Sequence, residues 1–422
     1  PIRKIYQFML RSDLALGIDL GTSGVRIAIL NQKEELIYSS DIIYPNDLSI
    51  PKDWEECTSN LIKEIPESIK KYIRTCAIDG TSGTLLACNE QGRTMGKALP
   101  YHICCPEQTI TLKKMLPNGG IASNINSSLA RALHLRKQYG HKVLLRHQAD
   151  WITGWFLDNW SWGEAANNFR LGWDPEKKQW PKSLTSPLWK QSLPVVVESG
   201  TILSKIANER AKQLDLPRDL LIIAGTTDSN AAFLSANIEE EDGLTVLGST
   251  IVVKRFVEQP LNGTGITNHR LMNRWICGGA SNAGGNVLRK FFSDKTLREL
   301  SQQIDPEIDS GLKLRPLPCT GERFPINDPN LEPVLDPRPI SDALYLHGIL
   351  EGLARIESQS WKKLIELGVV PPKKIVTIGG GAKNPQWKRI RERITGYKIK
   401  TCKNIPATGA AQIALSAIST KI

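Results

Sequence analysis

Residues Gly17 to Leu30, GIDLGTSGVRIAIL, join two apolar strand-like runs through Gly21-Thr22-Ser23-Gly24. A little over half a chain later Leu244 to Phe256, LTVLGSTIVVKRF, repeats that plan. A recurring strand, Gly-Ser/Thr turn and strand looks like an internal duplication, which constrains the chain to two lobes that each open on a hairpin. Chance recurrence of so short a pattern is the alternative. At 422 residues the chain also exceeds the size at which one core stops growing.

The turn itself points to phosphate chemistry. Gly21 and Gly24 permit positive φ and close backbone approach, so backbone N–H groups and the Thr22 and Ser23 hydroxyls can converge on an anion. Asp19 beside such a cradle would repel a bare phosphate, and it makes sense chiefly if Mg²⁺ sits between them. An ordinary Gly-rich hairpin turn, with Asp19 capping a backbone group, is the bland reading. Asp228, in LLIIAGTTDSNAA, follows a buried strand at the place where open α/β sheets keep ligands. Capping of the next helix through Ser229 and Asn230 explains it equally well. In KIVTIGGGAKNPQWKRIRERIT, Gly379, Gly380 and Gly381 would let a flat ring approach the backbone, with Asn384 reading its edge and Trp387 bordering it. Otherwise the segment is a strand-to-helix turn with Asn384 as N-cap, Pro385 at the first helical position and a core Trp387.

Strand and helix signals alternate through the chain, giving an α/β class with mixed sheets. Helices are expected over Trp54 to Ile73, Ser127 to Tyr139, Gly200 to Gln213, Ala283 to Phe292, Asp342 to Leu367 and Pro385 to Thr395. The net charge of +11 allows a nucleic-acid partner, but the basic residues are dispersed, and the cluster at Lys388 to Arg393 reads as a solvated helix face. No apolar run approaches the ~20 residues of a membrane span. The eight cysteines show no CxxC pair and the six histidines no ligand spacing, so reduced thiols and no metal held by His or Cys are expected. Residues 1–13 read as an ill-defined leader without a clear cleavage site, and Met9 is an alternative start.

Taken together, GIDLGTSG at Gly17, AIDGTSGTLL at Ala77, AGTTDSNAA at Ala224, VLGSTIVV at Val246, CGGASNAGG at Cys277, GERFP at Gly321, TIGGGAKNPQW at Thr377 and ATGAAQIA at Ala407 occur in an order that resembles the FGGY carbohydrate kinases. The resemblance covers nearly everything from Leu14 onward. It implies the actin, sugar kinase and heat-shock chaperone ATPase fold: two RNase H-like lobes around a nucleotide cleft. Residues 1–235 plus 409–422 would form the sugar and phosphate lobe, with the last helix returning to it, and 236–408 the nucleotide lobe.

Within that family the chain is most similar to the short cyanobacterial and plant xylulose-kinase-like proteins that act as D-ribulose kinases. Leu99 to Pro106, LPYHICCP, stands where xylulose and glycerol kinases carry Trp-x-Asp-x-x-Arg, which puts those two sugars in doubt. The resemblance makes Asp228 the general base, Asp19 the acid beside Mg²⁺ and the sugar, and Thr22 a residue at the transfer point. Ser82 would contact ribulose along with Asp19 and Asp228. Thr22, Ser23, Gly248, Ser249, Thr250, Gly279, Gly380, Gly381, Asn384 and Trp387 would serve ATP. Glu164 and Asn167 align loosely with a sugar-site acid and amide. The implied activity is transfer of the γ-phosphoryl group of ATP to a terminal pentulose hydroxyl, D-ribulose first, with D-xylulose or ribitol phosphorylation, or a nucleotide-binding sensor or scaffold without transfer, as alternatives. A cytoplasmic monomer with no nucleic-acid or membrane partner is expected.

Overall fold

The computed structural model describes residues 13–402 and 405–419, so the leader lies outside the described residues except for Asp13. The chain divides into two compact units. Unit 1 holds the described residues up to Ser235, Arg270–Asn273 and the segment from Ile405 onward; unit 2 holds Ala236–His269 and the residues from Arg274 to 402.

Unit 1 is built on a six-stranded mixed sheet of β1 (Leu14–Leu20), β2 (Gly24–Leu30), β3 (Leu36–Ile43), β4 (Ile73–Gly80), β5 (Ile202–Lys205) and β6 (Leu221–Thr227), in the order β3-β2-β1-β4-β6-β5. β2 runs antiparallel to β1, whereas β4 is parallel to β1 and β6 to β4. β1 is buried along its whole length, which is why it reads as a near-continuous apolar run. Leu16, Ile18, Ile27, Trp54, Ile78 and Ile222 belong to the core beneath the sheet. The helix Ala407–Ser419 packs on β1 at backbone contact: a Cβ on Gly17 would lie 2.2 Å from the Ala407 carbonyl oxygen, and one on Gly409 1.9 Å from that of Ala231.

Unit 2 uses β7 (Gly243–Leu247), β8 (Ile251–Val257), β9 (Ile266–Leu271), β10 (Arg274–Ala280), β11 (Ile375–Ile378) and β12 (Ile399–Thr401), ordered β9-β10-β8-β7-β11-β12. β7 pairs antiparallel with β8 and parallel with β11, so β10-β8-β7-β11-β12 repeats the plan of β3-β2-β1-β4-β6. The two hairpins noticed in the sequence are the equivalent central pairs of the two sheets.

Three local expectations need correction. The helix expected over Trp54 to Ile73 runs only Pro51–Glu64, with a short turn of helix at Glu67–Lys70, and Ile73 already opens β4. Pro66 disfavours helical backbone at Ile65, which is extended at ψ 127°. Gly200 to Gln213 is split, because Ile202–Lys205 pairs along the edge of β6 and the helix begins only at Asn208. Finally, neither Gly21 nor Gly24 is among the glycines with positive φ. Glycine is required at position 24 because a Cβ there would sit 2.2 Å from the Ile42 carbonyl oxygen of β3.

Candidate active site

The parallel strands of unit 1 bring three carboxylates together. Asp19 and Asp79 are registered partners on β1 and β4, and Thr226 of β6 is the partner of Asp79 on its other side. Two residues beyond Thr226, Asp228 starts the helix Asp228–Ser235. Strands in a ladder lie about 4.8 Å apart, so these acids share one sheet end. Arg26, the β2 partner of Asp19, donates from Nη1 to Asp19 Oδ2 at 2.9 Å.

Asp19 is 2% exposed and Asp79 wholly buried. Neither carboxylate oxygen of Asp79 receives a donor among the described residues, and Asp19 lies near enough to share a proton with it. Burial, followed by the neighbouring Asp19 and Asp228 charges, pushes the Asp79 pKa well above the carboxylate range, against the opposing pull of Arg26. One oxygen of Asp228 accepts from the Ser229 backbone N–H at 2.6 Å, so the acid also helps to begin its helix. Thr22 and Ser23 form an exposed turn directly after Asp19's strand. An all-oxygen donor set with buried carboxylate oxygens that receive no donor fits a hard divalent cation such as Mg²⁺.

Asp79 was not singled out among the candidate residues, although the signal was present. AIDGTSG shares its Ile-Asp pair and its Gly-Thr-Ser-Gly turn with GIDLGTSG, and the two aspartates prove to be in register. The half-buried Ser82 sits in the loop that follows Asp79, and that loop is held from several sides. Gln148 Oε1 accepts from the Thr81 N–H at 3.0 Å and its hydroxyl at 2.7 Å, while Gln148 Nε2 donates to the Tyr44 hydroxyl at 3.3 Å. Arg131, fully buried, donates from Nε to the Gly83 carbonyl at 3.0 Å. Gly83 itself adopts φ +101°, a conformation that favours glycine.

Unit 2 presents a different surface. Gly248-Ser249-Thr250 is the turn between β7 and β8, with Ser249 exposed; the Gly248 and Ser249 carbonyls accept from the N–H groups of Gly285 and Asn286 at 2.9 and 3.2 Å. Gly380 is exposed and has open space where a Cβ would be. The other expected nucleotide contacts are placed differently. Trp387 is 2% exposed and lies against Gly381, where a Cβ would be 2.4 Å from its ring, so the Trp is a core residue that explains the glycine. The Asn384 amide is already engaged, accepting from the Trp387 N–H at 3.0 Å as N-cap and donating to Ser301 Oγ at 2.8 Å. Gly279 is buried beneath Phe324, whose ring would be 2.5 Å from an added Cβ. In this conformation Trp387 and Gly279 are enclosed and the Asn384 amide is engaged within unit 2.

Glu164 and Asn167 also belong to the interior. Glu164 caps the helix Ala165–Asn168, its oxygens accepting from the Ala166 and Asn167 N–H groups at 2.9 Å each. Asp150 accepts from the Glu164 N–H and from the side-chain amides of Asn167 and Asn168. Burial lifts Asp150 to about 7 and Glu164 to about 8, and lowers His147 to about 3. Unit 1 also contains a cavity of about 770 Å³ lined by Trp173, Lys178, Glu198, Arg270 and Met272, but none of the three clustered aspartates lines it.

No protein-family model matches the chain. It is 23% identical over 440 residues to the xylulose kinase of Staphylococcus epidermidis, covering 95% of this chain and 87% of the relative. It is 22% identical over 431 residues to the gluconokinase of Bacillus subtilis, covering 90% and 82%. Among solved structures, ligand-bound xylulose kinase from Lactobacillus acidophilus superposes with a TM-score of 0.79 at 17% identity, over 97% of this chain and 90% of that one. The chain thus has the two-domain α/β fold of the solved xylulose, gluconate and glycerol kinases.

Proposed function

We propose that the protein is an ATP-dependent sugar kinase that transfers the γ-phosphoryl group to the terminal hydroxyl of a pentulose. The observation that carries this reading is the convergence of Asp19, Asp79 and Asp228 at one sheet end beside the exposed Thr22-Ser23 turn. In it, Asp228 orients the sugar hydroxyl and accepts its proton, a role that needs a carboxylate within hydrogen-bond reach of the nucleophile. Ser82 and Asp19 contact the sugar, and Thr22 and Ser23 meet the phosphoryl group. Asp19, backed by the Arg26 ion pair, would hold Mg²⁺. When bound, that ion neutralises charge on the transferring phosphate. Gly248, Ser249, Thr250 and Gly380 serve the nucleotide, Ser249 and Gly380 from exposed positions. Phosphoryl transfer asks the protein mainly for positioning and charge compensation, which this set supplies. A nucleotide sensor without transfer would have no use for a base at Asp228.

D-Ribulose is the first reading on the resemblance alone, in which Leu99 to Pro106 departs from the element expected of xylulose and glycerol kinases. D-Xylulose is the second reading, supported by the names of the curated relatives. Stereochemistry is discriminated by individual hydrogen bonds, so rates separate these readings. Initial rates of ADP formation should be measured with D-ribulose, D-xylulose, L-ribulose, ribitol and glycerol. A rate on D-ribulose above all others supports the first reading, preference for D-xylulose transfers the assignment to the second, and equal rates on all five refute a dedicated pentulose kinase.

A further inference from the structure

Cys105, Glu107 and His134 come together although nothing in their chain spacing announces a metal site. Each offers one ligand atom, and the three atoms lie within 4.8 Å of one another. Cys105 precedes the short helical turn Pro106–Gln108 that carries Glu107, and His134 projects from the helix Ser128–Tyr139. His134 Nδ1 is 2.9 Å from Glu107 Oε1. The thiol is buried, while the carboxylate and the imidazole are each a little over two-fifths exposed. One side of the cluster is therefore anchored in the fold and the other is open to ions from solution.

We propose that Cys105, Glu107 and His134 bind a borderline transition-metal ion of the Zn²⁺ class, with solvent completing a tetrahedral shell. Thiolate, imidazole and carboxylate are the three ligand types that Zn²⁺ takes from proteins, and a shared approach of this size closes to zinc distances by side-chain rotation of the two exposed members. Mg²⁺ and Ca²⁺ are excluded as occupants because both demand oxygen donors. The thiol proton leaves to solvent on binding. Burial and Glu107 push the Cys105 thiol up to about 11, and the nearby Arg131 charge pulls the other way, toward thiolate.

The ion would fasten a segment with a defined place in unit 1. Leu99 bridges to Leu85, the Tyr101 N–H donates to Thr84 Oγ1 at 3.2 Å, and Arg131 Nη1 donates to the Tyr101 and Ile103 carbonyls at 3.1 and 2.8 Å. The same Arg131 holds the Gly83 carbonyl. Metal bound between this segment and the helix Ser128–Tyr139 thus stiffens the support of the Thr81–Thr84 loop, whatever reaction the protein performs.

The test uses the full chain, stripped with chelator, dialysed against Zn²⁺ and then against metal-free buffer, with metal measured by elemental analysis and thermal unfolding followed in parallel. About one retained zinc per chain and a raised midpoint are expected. His134→Ala and Glu107→Gln, both at exposed side chains, should fold like the parent, weaken retention by about tenfold or more and abolish the midpoint shift. Co²⁺ bound in place of zinc should show thiolate-to-metal charge-transfer absorption that Cys105→Ser removes. Retention at the parental level in His134→Ala would assign the zinc to surface thiols such as Cys104 and Cys319 and overturn the proposal, as would no retention by the parent.

Discussion

The two sheets share one frame but carry opposite chemistry at the same place in it. Asp19 and Val246 occupy equivalent positions before the turn, and their parallel neighbours in register are Asp79 and Ile378. Across the hairpin Asp19 faces Arg26, whereas Val246 faces Val252. An acid, a buried acid and an arginine in unit 1 are thus replaced by three aliphatic residues in unit 2. Unit 2 keeps its charge elsewhere, in a buried pair in which Arg391 Nε and Nη2 bond both oxygens of Glu357 at 2.6 and 2.7 Å, with Thr245 and Thr377 beside it. The same hydrogen-bonded frame thus carries charge at the strand ends of unit 1 and aliphatic residues at those of unit 2.

That contrast can be broken experimentally. The largest effect is expected from Asp228→Ala, which should lower sugar phosphorylation by about 10²–10⁴-fold while leaving nucleotide affinity unchanged, as read by steady-state assay and calorimetry. Arg391→Ala leaves Glu357 charged and buried, so it should destabilise the protein by about 3–5 kcal/mol in urea unfolding. Val246→Asp transplants the acid of unit 1 without its arginine and should cost about 1–3 kcal/mol.

Asp79→Asn should do the reverse. Because the Asp79 pKa is raised on folding, the folded state keeps a proton that the unfolded state releases above about pH 4, and stability falls as pH rises; the amide removes that loss. Greater stability than the parent at pH 8, and no difference at pH 3, is expected from unfolding at the two pH values. Glu164→Gln tests the same linkage at a second buried acid. With Glu164 held at about 8, stability falls between about pH 4.5 and 8, and the variant should flatten that decline.

Much of this frame was legible in the residues. The two hairpins, the 25-residue helix Asp342–Glu366 and the Asn384 cap with Pro385 behind it are written in periodicity and local turn chemistry. What could not be read depended on neighbours distant in sequence. The edge strand Ile202–Lys205 exists because β6 offers it a partner, and a local pattern of apolar spacing there reads as helix. Gly279 and Gly381 look like ligand-approach glycines until Phe324 and Trp387 are seen filling the space beside them. Asp79 was overlooked because its partner in register lies 60 positions earlier, and Cys105 and His134 because a helix rather than a motif brings them together.

If the acids at the sheet end of unit 1 perform sugar phosphorylation, ATP and sugar are consumed one for one. The most direct test is product stoichiometry: the protein is incubated with ATP, Mg²⁺ and D-ribulose or D-xylulose, and ADP and sugar phosphate are quantified together by mass spectrometry. One terminally phosphorylated pentulose for each ADP, and little ADP when sugar is omitted, is the expected result. ADP formed at the same rate without sugar, or without any phosphorylated sugar, would contradict it.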